Sequence, residues 1–401
     1  MSAPELDPEV AALAARTAEF VRDVVIPAEP RDRSEHGLDE TLRAELQTAA
    51  RAAGLFAPHV PRDLGGLGLD LRGQAAVFEA AGYSLLGPQA LNCAAPDEGN
   101  MHLLEVVATP AQRDRYLRPL AAGETRSCFA MTEPPPGAGS DPAMLGTTAE
   151  RVDGGWVING RKRFITGAVG AAFTICMART GERIDRGEGA TMFLVDAGND
   201  GWRVERVMEM IDRAFPGGHA EVVFEDCFVS DEAVLGEVGL GYRYAQVRLA
   251  PARLTHCMRW LGLARRALDD ALDYVAAREA FGAPLGELGM AQRMIAESVI
   301  DIESSRALIW HAAGVLDGGA HGRHESSVTK AHVAEAVNRV VDRAVQLCGG
   351  WGVSTEGRLG RYLAELRPFR IYDGPTETHL WAIARHALRV RAGERDAEVR
   401  G

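Results

Sequence analysis

At 401 residues the chain is about two to three times the usual domain length, so several domains are expected. Its 25% charged and 46% hydrophobic residues are those of an ordinary globular protein, and its net charge of −12 supplies no basic field to attract phosphates. A nucleic-acid partner is therefore not expected. Nearly all the cations are arginine. Lys162 and Lys330 are the only lysines, a bias attributed to genomic composition. The six cysteines (93, 128, 176, 227, 257 and 348) form no C-x-x-C pair and read as reduced, buried thiols. The first residues lack a basic-then-apolar leader, and no segment reaches the ~20 apolar residues a bilayer span needs. The expectation is a soluble, cytoplasmic protein with no membrane association.

Three regions follow one another. Residues 1–125 are helical in pattern: Leu13, Phe20 and Val24 recur at helical spacing up to Pro27, and Leu42, Leu46, Ala49 and Ala53 repeat it before Gly54. Pro61 to Gly68 is glycine-rich, but no βαβ pattern surrounds it, so it reads as a turn between helices. In residues 126–235 short β-branched and aromatic runs alternate with turn signals. Gly154-Gly155 precedes Trp156 to Ile158, Asn159-Gly160 precedes Arg161 to Thr166, and further strands are expected over 172–178, 190–195, 202–208 and 220–228. That spacing suggests a compact β-barrel or sandwich. Residues 236–401 return to helix, with apolar stripes through Leu261 to Val275, Ile295 to Ile309 and Val333 to Leu347, and a last helix over 377–392. The fold class expected is mostly α with a central β-domain: an N-terminal helical domain, a middle β-barrel and a C-terminal four-helix bundle. Bundles of this size commonly pair with copies of themselves.

The segment Phe129-Ala-Met-Thr-Glu-Pro134, followed by Gly139-Ser-Asp141, presents backbone N–H groups and a hydroxyl at a strand end. Such groups suit the edge of a flat heteroaromatic ring, and equally an ordinary strand end with a Ser/Asp turn. Other segments add to it: Gly160-Arg-Lys-Arg-Phe-Ile-Thr-Gly167, Arg278-Glu-Ala-Phe-Gly282, Gln346-Leu-Cys-Gly-Gly-Trp-Gly352 and Ile371-Tyr-Asp-Gly-Pro-Thr-Glu377. In this order and spacing the chain resembles the acyl-CoA dehydrogenase family over nearly its whole length. The resemblance implies FAD as cofactor. Phe129, Met131, Thr132 and Ser140 would line its ring, Phe164 would pack on it, and Thr166 would bond near N5. Arg278, Phe281, Gln346 and Gly350 would reach the FAD of a neighbouring subunit in a homodimer or homotetramer, and Glu377 is also assigned to the cofactor. Two departures stand out. Pro135-Pro136-Gly137-Ala138 lengthens the gap before Ser140 by two residues, and Gly289 stands where the family often has Gln, so Gln292 is left unassigned.

Asp373 is the candidate base. Removing a proton α to a thioester needs a base together with hydrogen bonds that stabilise the enolate oxygen. A carboxylate in an apolar, water-poor pocket is expected to have a raised pKa and to be a better base. Taken locally, Asp before Gly-Pro is also a common turn opener. Most of the family carries Glu here. Landmarks at Asn92 to Met101, Ser127 to Pro134 and Pro251 to Arg259 match more closely a subgroup that contains family members ten and eleven, which pairs them with Asp. Arg253 is expected to orient Asp373, contact the acyl-CoA or make a bundle salt bridge. His256 and Arg259 are expected at the CoA or on a solvent face, and Gly374 at the substrate. The implied reaction is α,β-dehydrogenation of an acyl-CoA to a trans-2-enoyl-CoA, with electrons passing to an electron-transfer flavoprotein. Alternatives are a nitroalkane-oxidase-like oxidase, a flavin monooxygenase or a flavin protein that binds nucleic acid. No metal is expected, since His321 and His324 lack the i,i+4 spacing of a zinc pair and read as a solvated loop.

Overall fold

The computed structural model describes residues 6–32, 36–181 and 188–400, with side chains of the last helix described to residue 393. The chain divides into two compact bodies: one of Glu19–Leu69 with Leu85–Ala252, the other of Met1–Ala18, Asp70–Ser84 and Arg253–Gly401.

The first body is built on one eight-stranded sheet: β1 (Ser127–Ala130), β2 (Thr148–Val152), β3 (Gly155–Thr166), β4 (Phe173–Arg179), β5 (Ala190–Asp196), β6 (Trp202–Met208), β7 (His219–Ser230) and β8 (Val234–Leu235). Its order is β6-β7-β3-β2-β4-β5-β8, with β1 alongside β4 in parallel. The inner strands β4 and β5 are continuous apolar runs buried along six successive residues. The outer strand β6 instead alternates, and its Arg203 and Arg206 pair across the ladder with Glu225 and Glu221, 2.8 Å each. Between them lies a core containing Trp156, Ile158, Phe193, Val222 and Phe224, with the Trp156 and Phe193 rings 5.6 Å apart. The helix Glu40–Ala52 is capped by Asp39, whose carboxylate accepts from the Leu42 amide at 2.9 Å, and it buries Leu42, Leu46 and Ala50.

Asn159-Gly160 does not form the expected turn. β3 runs through it unbroken, with a bulge in its pairing to β7 between Ile158 and Gly160. Glycine is required for space rather than for a turn, because a Cβ at residue 160 would overlap Thr147.

The second body is helical. The helices Gly289–Asp317 and Thr376–Arg400 pack on Arg323–Cys348, and the shorter helix Leu71–Ala81 packs on Gly289–Asp317. In the part of Gly241–Ala277 that follows residue 252, Gly262 comes close to Glu79 at the end of that shorter helix. Arg323–Cys348 is deeply buried along Val333, Ala336, Val337, Val340, Ala344 and Leu347. Small residues on that stripe let its neighbours approach closely. Leu71–Ala81 is tied in at its first turn, where Asp317 accepts the amides of Leu71 and Arg72 at 2.9 and 3.1 Å. His324 lies in the first turn of Arg323–Cys348, not in a loop, and its ring stacks 4.2 Å from that of His386. All six cysteines are free and buried. No described helix is long and apolar enough to cross a membrane.

Gly160→Val is expected to lower unfolding free energy by roughly 1–3 kcal/mol, the usual cost of overpacking, in urea denaturation monitored by circular dichroism.

Candidate active site

In the first body the resemblance-assigned segments lie at one end of β1 and β3. Past β1 the chain turns at Thr132-Glu133-Pro134, and the turn is held from inside. The Glu133 carboxylate accepts from the amides of Ala138 (3.1 Å), Gly146 (2.6 Å) and Thr147 (2.8 Å) and from Lys162 Nζ (2.9 Å). The Lys162 ammonium, wholly buried, also donates to the carbonyls of Met131 (3.2 Å) and Met177 (2.6 Å). Burial alone would raise the Glu133 carboxyl. The Lys162 charge and the hydrogen bonds from Thr147, Lys162 and Gly146 outweigh that and hold it at about 2. Met131 and Thr132 are thereby fixed in half-buried positions. The Thr132 carbonyl also accepts from the Arg163 amide at 2.8 Å.

Around this turn, Phe164 is 45% exposed and adopts a left-handed φ of +59°, unusual for a bulky residue. Thr166 is half-buried, and its hydroxyl lies 2.9 Å from Nδ1 of His219, whose Nε2 lies 3.0 Å from Asp212 Oδ2. The Phe129 ring lies under the Arg248 guanidinium, 4.3 Å away. A chain of hydrogen bonds holds that guanidinium: Arg248 Nε donates to Asn100 (2.8 Å), Asn100 to Ser127 (2.8 Å), and Ser127 to the half-buried Asp97 (2.6 Å). Ser140 lies on the exposed stretch after the Pro135-Pro136 turn.

In the second body Asp373 lies on a turn between a short 3-10 stretch, Arg367–Arg370, and the helix Thr376–Arg400. Its φ is +55° and that of Gly374 is +96°. A left-handed residue costs roughly 1–3 kcal/mol, and Asp tolerates the conformation better than most. Three side chains grip the two carbonyls that this turn exposes. Arg253 Nε (2.9 Å) and His379 Nε2 (3.2 Å) donate to the Asp373 carbonyl, and Lys330 Nζ (2.7 Å) to that of Gly374. Hydrogen bonds from charged donors contribute about 1.5–3 kcal/mol each, enough to offset the strain. The Asp373 carboxylate lies 3.4 Å from His256 Nε2, and the His256 ring packs 5.0 Å from Tyr372. Trp260 donates to the Tyr372 hydroxyl. The surroundings of Asp373 thus contain a guanidinium, an ammonium and two imidazoles. Burial pushes the Lys330 ammonium down to about 8 despite the opposing pull of Asp373, and burial with Arg253 and Lys330 nearby pushes His379 down to about 4. At neutral pH His379 is therefore a neutral donor and Lys330 is still mostly charged.

Arg259 is buried over the Phe78 ring at 5.7 Å. The remaining predicted residues are on the surface of this chain. Phe281 and Gly282 form a two-residue turn between Glu279–Ala280 and Ala283–Pro284, with φ of +56° and +86°. The Phe281 side chain is 93% exposed. Arg278, Gln346, Gly350 and Glu377 are exposed too, and a Cβ built at Gly349 or Gly350 would meet no atom within 4 Å. Sequence reasoning missed Lys162, Glu133, Lys330, His379, His219 and Asp212 as parts of these sites. The one available signal for the first and third was that they are the only lysines in the chain.

A helical segment, a β-domain and long C-terminal helices, carrying a strand-end turn and a gripped carboxylate loop, are the parts of one class of oxidoreductase. Family models match in that order: the acyl-CoA dehydrogenase N-terminal domain over residues 7–124, the middle domain over 128–227 and the C-terminal domain over 239–388. The chain belongs to the acyl-CoA dehydrogenase family. "Probable acyl-CoA dehydrogenase FadE2" of Mycobacterium tuberculosis is 39% identical over 86% of this chain and 85% of its own length. Acyl-CoA dehydrogenase family member 10 of Mus musculus is 35% identical over 96% of this chain, which spans only 37% of that protein. Among solved structures, butyryl-CoA dehydrogenase from Megasphaera elsdenii matches with a TM-score of 0.85 at 27% identity, over 96% of this chain and 99% of that one.

Lys162→Met is expected to cost roughly 3–5 kcal/mol, since it strands a buried carboxylate. Glu133, depressed from 4.5 to about 2, contributes stability that is full above about pH 4.5 and lost as pH falls through about 2. Without the ammonium that loss should move to higher pH, which acid-unfolding curves of the two proteins will report.

Proposed function

We propose that the protein is an FAD-dependent acyl-CoA dehydrogenase in which Asp373 removes the α-proton of an acyl-CoA thioester, yielding a trans-2-enoyl-CoA. The observation that carries this reading is the Asp373 turn. A carboxylate is held on a left-handed backbone by donors from three separate helices, which is more support than a connecting turn needs. Fixing the backbone fixes where the carboxylate can reach, and proton transfer depends on that placement. Arg253 and Lys330 act on the loop's carbonyls, so we assign them to positioning. His256, within ion-pair distance, steadies the carboxylate's orientation. Gly374 is assigned to the substrate side of the turn, and its lack of a side chain lets His379 approach, because a Cβ there would press on the His379 ring.

The chain's own surface fits a flavin. Phe164 offers an exposed aromatic face, Phe129 a face steadied by Arg248, and Met131 and Thr132 a rigid strand end, with Thr166 beyond them and Ser140 on the adjoining turn. When bound, FAD supplies the acceptor for the hydride that leaves the β-carbon. Arg278, Phe281, Gln346 and Gly350 are assigned to the cofactor of a second copy in a homodimer or homotetramer, and Glu377 to the cofactor. Support comes from Phe281, which is held out into solvent by a two-residue turn and buries nothing within its own chain. Arg259, buried on Phe78, is assigned to shaping the helix behind Asp373 rather than to direct CoA contact. An electron-transfer flavoprotein is the proposed oxidant of the reduced enzyme.

Anaerobic titration with straight-chain acyl-CoAs of increasing length should bleach the flavin absorbance for one length range. Asp373→Asn should slow that bleaching by roughly 10²–10⁴-fold, the usual contribution of a general base. Equal rates in the two proteins would contradict the assignment.

A further inference from the structure

Thr166 on β3 and His219 on β7 stand directly opposite each other in the ladder. The chain enters β7 through Gly217 and Gly218, whose φ values of +77° and +60° turn it straight into His219. The Phe215 ring meets the imidazole edge-on at 5.4 Å, which locks its rotation. His219 and Asp212 are both buried, at 9% and 4% exposure. The result is a three-membered relay, Thr166 Oγ1 to His219 Nδ1 at 2.9 Å and His219 Nε2 to Asp212 Oδ2 at 3.0 Å. Thr166 belongs to the flavin-facing segment, whereas His219 and Asp212 have no assigned part in it.

Proton counting gives the relay a direction. A carboxylate can only accept, so the imidazole nitrogen facing Asp212 carries the hydrogen. In the neutral ring that leaves a lone pair on Nδ1, and the orientation of one ring nitrogen thereby sets the role of the other. With the ring in this neutral form, the Thr166 hydroxyl gives its one hydrogen to Nδ1. Its oxygen then has only lone pairs to offer a third group.

We propose that His219 and Asp212 are positioning residues that hold Thr166 as a pure hydrogen-bond acceptor toward the flavin, biasing the bound cofactor toward its reduced form. This rests on the reading above that Thr166 lies at N5. Reduction by the substrate's β-hydride (two electrons and one proton) places a hydrogen on N5, turning it from acceptor to donor. An acceptor-only hydroxyl pairs with the donor form and repels the other. Without the relay the hydroxyl hydrogen is free to swing to the oxidised ring, and the bias is lost.

The test uses the purified holoenzyme and reads the midpoint potential of its bound FAD by dye equilibration. His219→Leu is expected to shift the potential negative by about 30 mV or more, the two-electron equivalent of a tenfold change. Thr166→Val should shift it the same way, and the double variant should go no further than Thr166→Val alone. An unmoved potential in FAD-loaded His219→Leu, or additive shifts in the double variant, would overturn the relay. Because His219→Leu strands the buried Asp212, ¹⁵N NMR of the wild-type imidazoles gives a second reading. Hydrogen on Nε2 alone is expected, and hydrogen on Nδ1 overturns the proposal. A wild-type protein that retains no FAD would instead sink the cofactor reading itself. FAD retained without bleaching by any acyl-CoA would sink only the substrate.

Discussion

A buried ammonium group has to find oxygens, and the loops proposed to do chemistry in this protein are built around two of them. Lys162 gathers the Met131 and Met177 carbonyls and the Glu133 carboxylate, and Glu133 in turn gathers three amides of the following turn. Lys330 takes the Gly374 carbonyl beside Asp373. Both are fully buried, in a chain whose other fixed cations are arginines. An ammonium is a compact point charge that satisfies converging carbonyls from one position, where a planar guanidinium needs a wider fork. What composition alone suggests to be genomic bias is, at these two positions, a geometric requirement.

Backbone strain falls in the same places. Among the described residues six non-glycines have left-handed φ: Ala57, Asn92, Phe164, Asp226, Phe281 and Asp373. Three of them are residues assigned to flavin or base. Bulky or charged side chains persist in that conformation only when their surroundings over-determine it. At Asp373 the surroundings are visible as three donors on two carbonyls. At Phe281 the turn is a tight hairpin with the ring in solvent, a cost that contact with a second copy would repay.

Much of the fold was legible in the sequence because periodicity reports burial directly. The continuous apolar runs of β4 and β5, the alternation of β6 and the stripe through Val333 to Leu347 all fall where their patterns place them. Asn159-Gly160 misled, because the dipeptide's turn signal is the same whether glycine serves a positive φ or the close approach of Thr147. The linear motifs marked Asp373, Phe164 and Thr166 as worth attention. Their partners were hidden for a physical reason. Arg253 and His256 were marked with Asp373, but Lys330 and His379 come from two further helices, and His219 meets Thr166 only through strand register with a bulge in it. Neither kind of adjacency leaves a local trace in the chain. The expected apolar setting of Asp373 also gave way to a cationic one, which spacing along the sequence does not report.

The central claim is that Asp373 takes a proton from carbon, and this can be measured apart from flavin reduction. The holoenzyme is incubated in D₂O with acyl-CoAs whose β-carbon is replaced by sulfur, so that no hydride can leave, and α-deuterium is followed by mass spectrometry. The account predicts exchange with the wild-type protein and little above background with Asp373→Asn. Exchange at the same rate in both would contradict it.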